Sequence, residues 1–292
     1  MEQVDMNTAE ATTPPPVCRA GEGAMSIRKV GKIYDPEGVH VVALKDCSLE
    51  IAAGEFVAIV GPSGCGKSTL LNTIAGFDGL TSGEILLDGE PLATVDKDPS
   101  PGPDRVVVFQ HGALFPWKTV LQNVTYGPVV QGVMSEEAAN ERAQEMLSRV
   151  GLNDIETAYP GQLSSGMQRR VEIIRALINN PKVLLLDEPF RAMDTVTKSA
   201  SHQYLLELYD ATGKTIFFIT HDLEEAIFLA DKVLVMTTRP GYIKKTLQVN
   251  LPRPRQYSML ASEEFLAMKA QLVEAVHEEA VKAFEAGERE MA

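Results

Sequence analysis

The chain has 292 residues, of which 45% are hydrophobic, and a formal net charge of −13 at pH 7. This length allows one large domain or two modest ones, and the acidic balance argues against a nucleic-acid-binding surface, which needs a basic patch. Because no run of 18 apolar residues and no signal-peptide pattern occurs, we expect neither a transmembrane helix nor a leader.

Residues 1–24 are polar and include Thr13-Pro14-Pro15-Pro16, a composition that predicts a disordered tail. Short alternating stretches at 26–30 and 41–44 then predict two antiparallel strands joined by a turn at 35–38. Tyr34 lies in this segment. An aromatic ring at this position either stacks on a nucleotide base or is a half-buried residue of the sheet.

The segment Gly61-Pro62-Ser63-Gly64-Cys65-Gly66-Lys67-Ser68 fits the phosphate-binding loop G-x-x-x-x-G-K-[ST]. An apolar stretch at 55–60 predicts a buried parallel strand before it, and 68–75 predicts a helix after it. Glycines let backbone N–H groups turn towards a phosphate, and the helix N-terminus adds positive charge. We expect Lys67 to reach the β- and γ-phosphates and Ser68 to bind Mg²⁺.

Three further apolar stretches end on polar side chains. The strand predicted at 105–109 ends on Gln110, that at 182–187 ends on Asp187-Glu188, and that at 214–220 ends on His221. Since α/β sheets bind ligands at the carboxyl ends of their strands, these groups are expected to converge on one site. An Asp-Glu pair in that position suits a Mg²⁺-holding aspartate followed by a general base.

The remaining elements follow from periodicity and capping. Ser135 is the expected N-cap of a helix, and Pro181 ends another. The predicted elements are a strand at 82–87, helical stretches at 119–152, 161–179, 195–211 and 222–230, a strand at 233–236, and an amphipathic helix or helix pair at 262–290.

The loop at 111–117 carries large apolar side chains, Leu114, Phe115 and Trp117. Such side chains in a loop indicate either a groove for a partner protein or packing on the chain's own domain. Cys65 lies inside the phosphate-binding loop, where a thiol is either alkylation-sensitive or a small space-filling group.

Taken together, these segments resemble the ATP-binding cassette (ABC) ATPases over residues 25–250. Each motif occurs in the order of that family: Walker A at Gly61–Ser68, the Q-loop at Gln110, the signature at Leu163–Met167, Walker B at Val183–Asp187 with Glu188, the D-loop at Arg191–Asp194, and the switch histidine at His221.

The resemblance implies an α/β fold: a P-loop NTPase core with a mostly parallel sheet, an antiparallel β subdomain and a helical signature subdomain at about 112–180. Residues 251–292 would form a C-terminal helical extension. It also implies an ATPase that acts as a dimer, a homodimer in the simplest case, in which Ser164 and Gly166 complete the site of the opposing subunit.

Roles carry over residue by residue. Tyr34 would stack on adenine, Glu188 would polarise the attacking water, and His221 would contact the γ-phosphate, with Gln110 as its sensor. The groups that would hold ATP are Gly61, Pro62, Ser63, Gly64, Cys65, Gly66, Lys67, Ser68 and Thr69. Those that would hold Mg²⁺ are Ser68, Gln110 and Asp187.

Several segments resemble one importer subfamily, which energises uptake of nitrate, sulfonates and taurine in bacteria. They are the 109–117 loop, Met167, Asp187–Phe190 and Thr238-Arg239-Pro240-Gly241. This implies a permease partner bound through the Gln110–Trp117 loop, a periplasmic solute-binding protein, and a peripheral position on the cytoplasmic face of the inner membrane. The alternatives are an exporter, a lipid-transport ATPase, or a soluble ABC ATPase acting in DNA repair or translation.

Four residues depart from the family pattern: Ser165, Arg191, Glu172 and Ile174. Ser165 replaces a glycine of the signature. If this position needs a left-handed backbone, serine costs about 1–2 kcal/mol and Ser165→Gly raises turnover. If instead Ser165 keeps a helix-cap conformation, glycine slows the reaction.

Overall fold

The structure is a computed structural model that describes residues 21–35, 38–97, 99–191, 193–285 and 287. Across these ranges it contains two β-sheets, seven α-helices and two short 3₁₀ turns. None of the helices in this part of the chain is long and apolar enough to cross a membrane.

The central sheet has six strands in the order β10-β9-β3-β8-β7-β6. All neighbouring pairs are parallel except β10 against β9. Its strands are β3 (Phe56–Val60), β6 (Arg105–Val108), β7 (Val183–Asp187), β8 (Thr215–Ile219), β9 (Lys232–Met236) and β10 (Ile243–Gln248).

Both faces of this sheet are covered, as parallel sheets require. Along β3 the side chains alternate between two cores: Phe56, Ala58 and Val60 face one, and Val57 and Ile59 face the other. The second core includes helix α1 (Lys67–Ala75) and the antiparallel sheet described next. The first includes the helices α4 (Ser165–Leu177), α5 (Thr195–Thr212) and α6 (Leu223–Leu229).

The second sheet is antiparallel, with the order β2-β1-β4-β5. Its strands are β1 (Met25–Tyr34), β2 (Val41–Ile51), β4 (Ser82–Leu87) and β5 (Glu90–Thr94). The two predicted strands form an antiparallel pair as expected, but residues 26–30 lie opposite 47–50, and residues 41–44 lie opposite 32–34, with Tyr34 paired to Val41 at the end of β1. Residues 36 and 37 of the predicted turn lie outside the described residues.

The helical layer consists of α2 (Val120–Val130), α3 (Glu136–Arg149) and α4, which pack against one another. The helical stretch expected at 119–152 is therefore two helices. Ser135 is the N-cap of α3, as predicted, and its side chain accepts a hydrogen bond from the Ala138 N–H. The helix expected from residue 161 starts only at Ser165, because 160–162 form a 3₁₀ turn.

The C-terminal segment folds back on the domain. Within its described residues, the predicted helix or helix pair is one helix, α7 (Glu263–Glu285), which packs on α6 and β9. Most of the predicted tail, residues 1–20, lies outside the described residues. The prediction that the disordered tail extends to residue 24 is wrong for residues 23 and 24. The N–H groups of Gly23 and Ala24 donate to Asp88 Oδ1 at 2.7 and 3.0 Å, which ties them to the fold.

Candidate active site

The phosphate-binding loop connects β3 to α1, as its sequence predicts. Gly64 and Gly66 have φ angles of 74° and 103°, which favour glycine, so glycine is needed at both positions of the turn. The Lys67 ammonium donates to the carbonyl oxygens of Gly61 and Pro62, both at 2.9 Å. Among the described residues, no side chain caps the N-terminus of α1.

This loop opens on a cavity of about 280 Å³. The cavity brings together Tyr34 from β1, Glu188 from the end of β7 and several loop residues. Its lining consists of Tyr34, Val41, Ala43, Ser63, Gly64, Gly66, Lys67, Ser68, Thr69, Glu188 and Arg239. Its composition suits a nucleotide, because an aromatic ring and phosphate-binding groups share one small space.

Tyr34 is fixed at the edge of this cavity. Its hydroxyl donates to Asp78 Oδ2 at 2.9 Å, and the Lys32 ammonium lies 5.0 Å from the ring centre. Partial burial and the hydrogen bond to Asp78 raise the pKa of Tyr34. The phenol is thus a neutral group, held in place beside the loop.

Three side chains converge on one oxygen of Glu188. Its Oε2 accepts from Gln110 Nε2 at 3.2 Å and from Arg191 Nη1 at 3.3 Å, and it lies 3.5 Å from His221 Nδ1. The backbone φ of Glu188 is 43°, a strained value for a non-glycine residue, which marks functional sites when neighbours enforce it. The expected meeting of the ends of β6, β7 and β8 is therefore observed.

Asp187 lies between Glu188 and the phosphate-binding loop. The hydroxyl of Ser68, the first residue after Lys67, is close enough to lower the pKa of this carboxyl group. Burial raises the pKa of Asp187, and the charge of Glu188 raises it further, while the Ser68 contact and Lys67 act in the opposite direction. The paired hydroxyl and carboxylate are oxygen ligands of the kind that Mg²⁺ prefers.

The signature residues do not line this cavity. Ser164 is the N-cap of α4, and its hydroxyl accepts from the Met167 N–H at 3.3 Å. A Cβ on Gly166 would lie 2.3 Å from Thr197 Cγ2 at the start of α5, so any side chain there would force Thr197 to move.

The expectation that Ser165 has a strained, left-handed backbone is wrong. It is the first residue of α4 and is absent from the positions with positive φ among the described residues. The cost assumed for a left-handed serine therefore does not arise, and the helix-cap alternative describes this residue better.

The departure at Glu172 has a structural role. Its Oε2 lies 2.7 Å from Arg169 Nη1, and its Oε1 accepts from the Ala113 N–H at 2.6 Å. Arg169 also donates to the carbonyl oxygens of Phe109 and Gln110 at 2.7 and 2.8 Å. The buried pair thus fixes the loop that carries Gln110. Ile174 is simply a fully buried core residue.

The apolar loop packs partly on its own domain. Phe115 contacts Trp117 and Tyr126 with ring centres 5.6 and 5.2 Å apart, and Arg175 lies 5.5 Å from its ring. Trp117 remains 71% exposed. Beside the loop lies an open cavity of about 640 Å³ lined in part by Phe109, Phe115 and Tyr126.

Sequence reasoning missed Arg239 as a site residue. It lines the cavity beside the phosphate-binding loop, and its Nε donates to the carbonyl oxygen of Gly64 at 3.1 Å. The only signal was the Thr238–Gly241 segment, noted as a subfamily feature without a role. Cys65, by contrast, is fully buried, and burial raises the pKa of its thiol, which makes it a space-filling group.

Comparison with known proteins shows which family the chain resembles. Residues 44–191 match the family model described as ABC transporter. The nitrate import ATP-binding protein NrtD of Synechocystis is 44% identical over 247 residues, covering 82% of this chain and 90% of that protein. The taurine import ATP-binding protein TauB of Roseobacter denitrificans is 44% identical over 222 residues, covering 76% and 80%.

The chain belongs to the ABC transporter ATPase family. A solved dimeric ATP-binding cassette in a post-hydrolysis state, bound to ADP and Pi, has a TM-score of 0.67 and 35% identity to it, over 78% of this chain and all of that one. The protein is accordingly an ATPase with the α/β fold of these cassettes, and ATP is its substrate.

Proposed function

We propose that this ABC ATPase powers the import of a small solute and that Glu188 is its catalytic base. The observation that carries the assignment is the position of Glu188, which lines the cavity with Lys67 and Ser68 while Gln110 and His221 contact its Oε2. A carboxylate in this position can polarise the water that attacks the γ-phosphate, and His221 can contact that phosphate.

Mg²⁺ fits the same site. Ser68 and Asp187 would hold the ion, with Gln110 close by on Glu188 and the phosphates supplying further oxygens. When bound, the ion would neutralise charge on the β- and γ-phosphates. Lys67, which now donates to Gly61 and Pro62, would turn to the phosphates.

The active form would be a homodimer with two ATP molecules between its subunits. Ser164 and Gly166 do not line the cavity of their own chain, so each pair would complete the site of the other subunit. The dimeric cassette with ADP and Pi supports this arrangement.

The named relatives support import of a small solute such as nitrate, a sulfonate or taurine. The chain would act at the cytoplasmic face of the inner membrane, bound to permease subunits through the Gln110–Trp117 loop. A periplasmic binding protein would deliver the solute to that permease. We expect no nucleic-acid partner for this function.

Substitution of the base tests the catalytic assignment. Glu188→Gln should keep ATP binding, lower steady-state hydrolysis by about 10²–10⁴-fold, and shift the chain to a dimer in light scattering when ATP is added. Glu136→Gln, at an exposed position of α3, is the control. Hydrolysis within threefold of the parent would mean that another group is the base.

Import is tested separately. The chain purified from native membranes should retain a membrane-spanning permease, and deletion of its gene should abolish uptake of one solute. Retained uptake of nitrate, sulfonates and taurine, together with a failure to recover any permease, would favour one of the non-importer ABC ATPases.

A further inference from the structure

The turn between β9 and β10, residues 237–242, packs directly on the outside of the phosphate-binding loop. A side chain on Gly241 would collide with the carbonyl oxygen of Cys65, and a Cβ on Gly61 would lie 2.9 Å from the carbonyl oxygen of Met236. The Gly241 N–H also donates to Ala43 O at 2.9 Å. This turn, defined here as the 237–242 turn, therefore braces the loop through backbone contacts.

The same turn is internally fixed. The Thr237 N–H donates to Tyr242 O at 3.0 Å, and the Thr237 hydroxyl donates to Pro240 O at 2.9 Å. In return, the Tyr242 N–H donates to the Thr237 hydroxyl oxygen at 3.0 Å. These hydrogen bonds hold the backbone on both sides of Arg239 in a fixed conformation.

Arg239 extends from this turn and lines the cavity beside the phosphate-binding loop. Its Nε bond to Gly64 O and a separation of 3.3 Å between its Nη2 and a Cβ built on Gly64 set the guanidinium beside the loop. Among the residues that line the cavity, Lys67 and Arg239 carry the positive charges. A guanidinium fork suits phosphate oxygens better than an ammonium, because it can donate two parallel bonds.

Helix α7 holds the turn from the other side. Glu279 is 1% exposed, and its Oε2 accepts from the Thr238 N–H at 3.1 Å, one residue before Arg239. Its Oε1 lies 2.8 Å from Lys244 Nζ and 2.7 Å from Lys282 Nζ. Although burial acts to raise the pKa of Glu279, these two ammonium groups and the Thr238 N–H hold it below its ordinary value.

A buried charge whose hydrogen bonds are all made contributes little net stability, but losing one of its partners is costly. Such a charge therefore holds its partners in fixed positions. Here Glu279 of α7 fixes the position of Thr238, the residue before Arg239. We propose that Arg239 binds the phosphates of the nucleotide and that α7 positions it through Glu279, so the C-terminal helix sets nucleotide affinity. This rests on the ATP site described above.

Titration of the full chain with MgADP and with a non-hydrolysable MgATP analogue tests the contact. Arg239→Gln should raise Kd for both nucleotides by about tenfold, and Arg239→Lys by less, since charge remains without the fork. The control Arg28→Gln, at an exposed site on β1, should bind like the parent.

The readouts separate a ligand contact from a structural one. If Arg239 binds phosphate, Arg239→Gln leaves the nucleotide-free melting temperature unchanged. A Kd within twofold of the parent, or a lower melting temperature of the nucleotide-free chain that accompanies the rise in Kd, would overturn the assignment. Lys67→Ala in the same assay should abolish binding; if it does not, the ATP site itself is wrong.

A double-mutant cycle tests the link to α7. Glu279→Leu removes the acceptor of the Thr238 N–H and should raise Kd about threefold, whereas Glu279→Gln keeps an acceptor and should raise it less. Glu279→Leu combined with Arg239→Gln should bind no more weakly than Arg239→Gln alone, because both act through one contact. Additive effects would show that α7 does not act through Arg239.

Discussion

Arg191 stands where the family pattern usually has a small residue, and it contacts the proposed base. Its Nη1 lies 3.3 Å from Glu188 Oε2, the oxygen that also accepts from Gln110. The Arg191 side chain is 55% exposed, so the pair contributes little to stability. Its effect is chemical: a carboxylate oxygen bonded to a guanidinium is less available to a water molecule.

We therefore expect Arg191→Gly to raise turnover about threefold without changing KM for ATP, because Arg191 does not line the cavity. Arg191→Lys should keep the parent rate, since it retains a cation near Glu188. Steady-state ATPase assays of the three proteins decide the matter. A slower glycine variant would instead mean that Arg191 assists hydrolysis.

Among the elements, α4 shows how one position can mislead sequence reasoning. The family's glycine at the third signature position predicts a special backbone, yet here Ser165 begins a regular helix behind the cap that Ser164 supplies. Helical serine costs nothing in strain, and glycine would lose conformational entropy on folding.

Ser165→Gly should therefore lower the free energy of unfolding by about 0.5 kcal/mol and should not raise turnover. Ser165→Ala is the matched control, because alanine favours the helix while also removing the hydroxyl. Urea unfolding and ATPase rates, measured on both variants, test this. Faster hydrolysis by the glycine variant alone would revive the expectation of a strained serine.

The strands that the sequence predicted best are those buried on both faces. β3, β7 and β8 are continuous apolar runs, and such runs predict buried strands even when the neighbouring strands are unknown. β10 was missed because it is an edge strand whose residues Lys244 and Lys245 interrupt any apolar pattern. Ser135 was predicted as the N-cap that starts α3, but the end of α2 at Val130 was not predicted, because helical composition continues on both sides of Gly132.

The site divides in the same way. Gln110, Glu188 and His221 follow strands of one parallel sheet, so topology alone predicts that they meet. Arg239 contacts Gly64 from 175 positions away, across a turn that has no site motif, and only the structure brings the two together. A contact of this kind depends on packing between elements rather than on any local pattern.

At the scale of the whole molecule, the apolar loop is joined to the catalytic edge of the sheet. Glu172 accepts from the Ala113 N–H, and its partner Arg169 holds the carbonyl oxygen of Gln110, whose side chain contacts Glu188. A partner protein seated beside Phe115 would therefore act on a segment that ends at the proposed base. We expect coupling of transport to hydrolysis to run through this chain of contacts.

Trp117 is the residue through which to test this connection, because its side chain is 71% exposed and its loss should cost the fold little. Phe115 is less suitable alone, since it packs on Tyr126 and Arg175. We expect Trp117→Ala to keep nucleotide affinity and basal ATPase activity, and to lower the amount of permease that copurifies with the chain. Phe115→Ala with Trp117→Ala should weaken assembly further.

Phe284→Ala is the matched control, because Phe284 is an aromatic residue on α7 that is 84% exposed. It should leave assembly unchanged if exposed aromatic surface as such is not the cause. Solute uptake in membrane vesicles completes the test: transport should fall with Trp117→Ala while ATP binding stays constant. Unchanged uptake with the double variant would mean that the permease contacts another surface, and that the apolar loop only packs on its own domain.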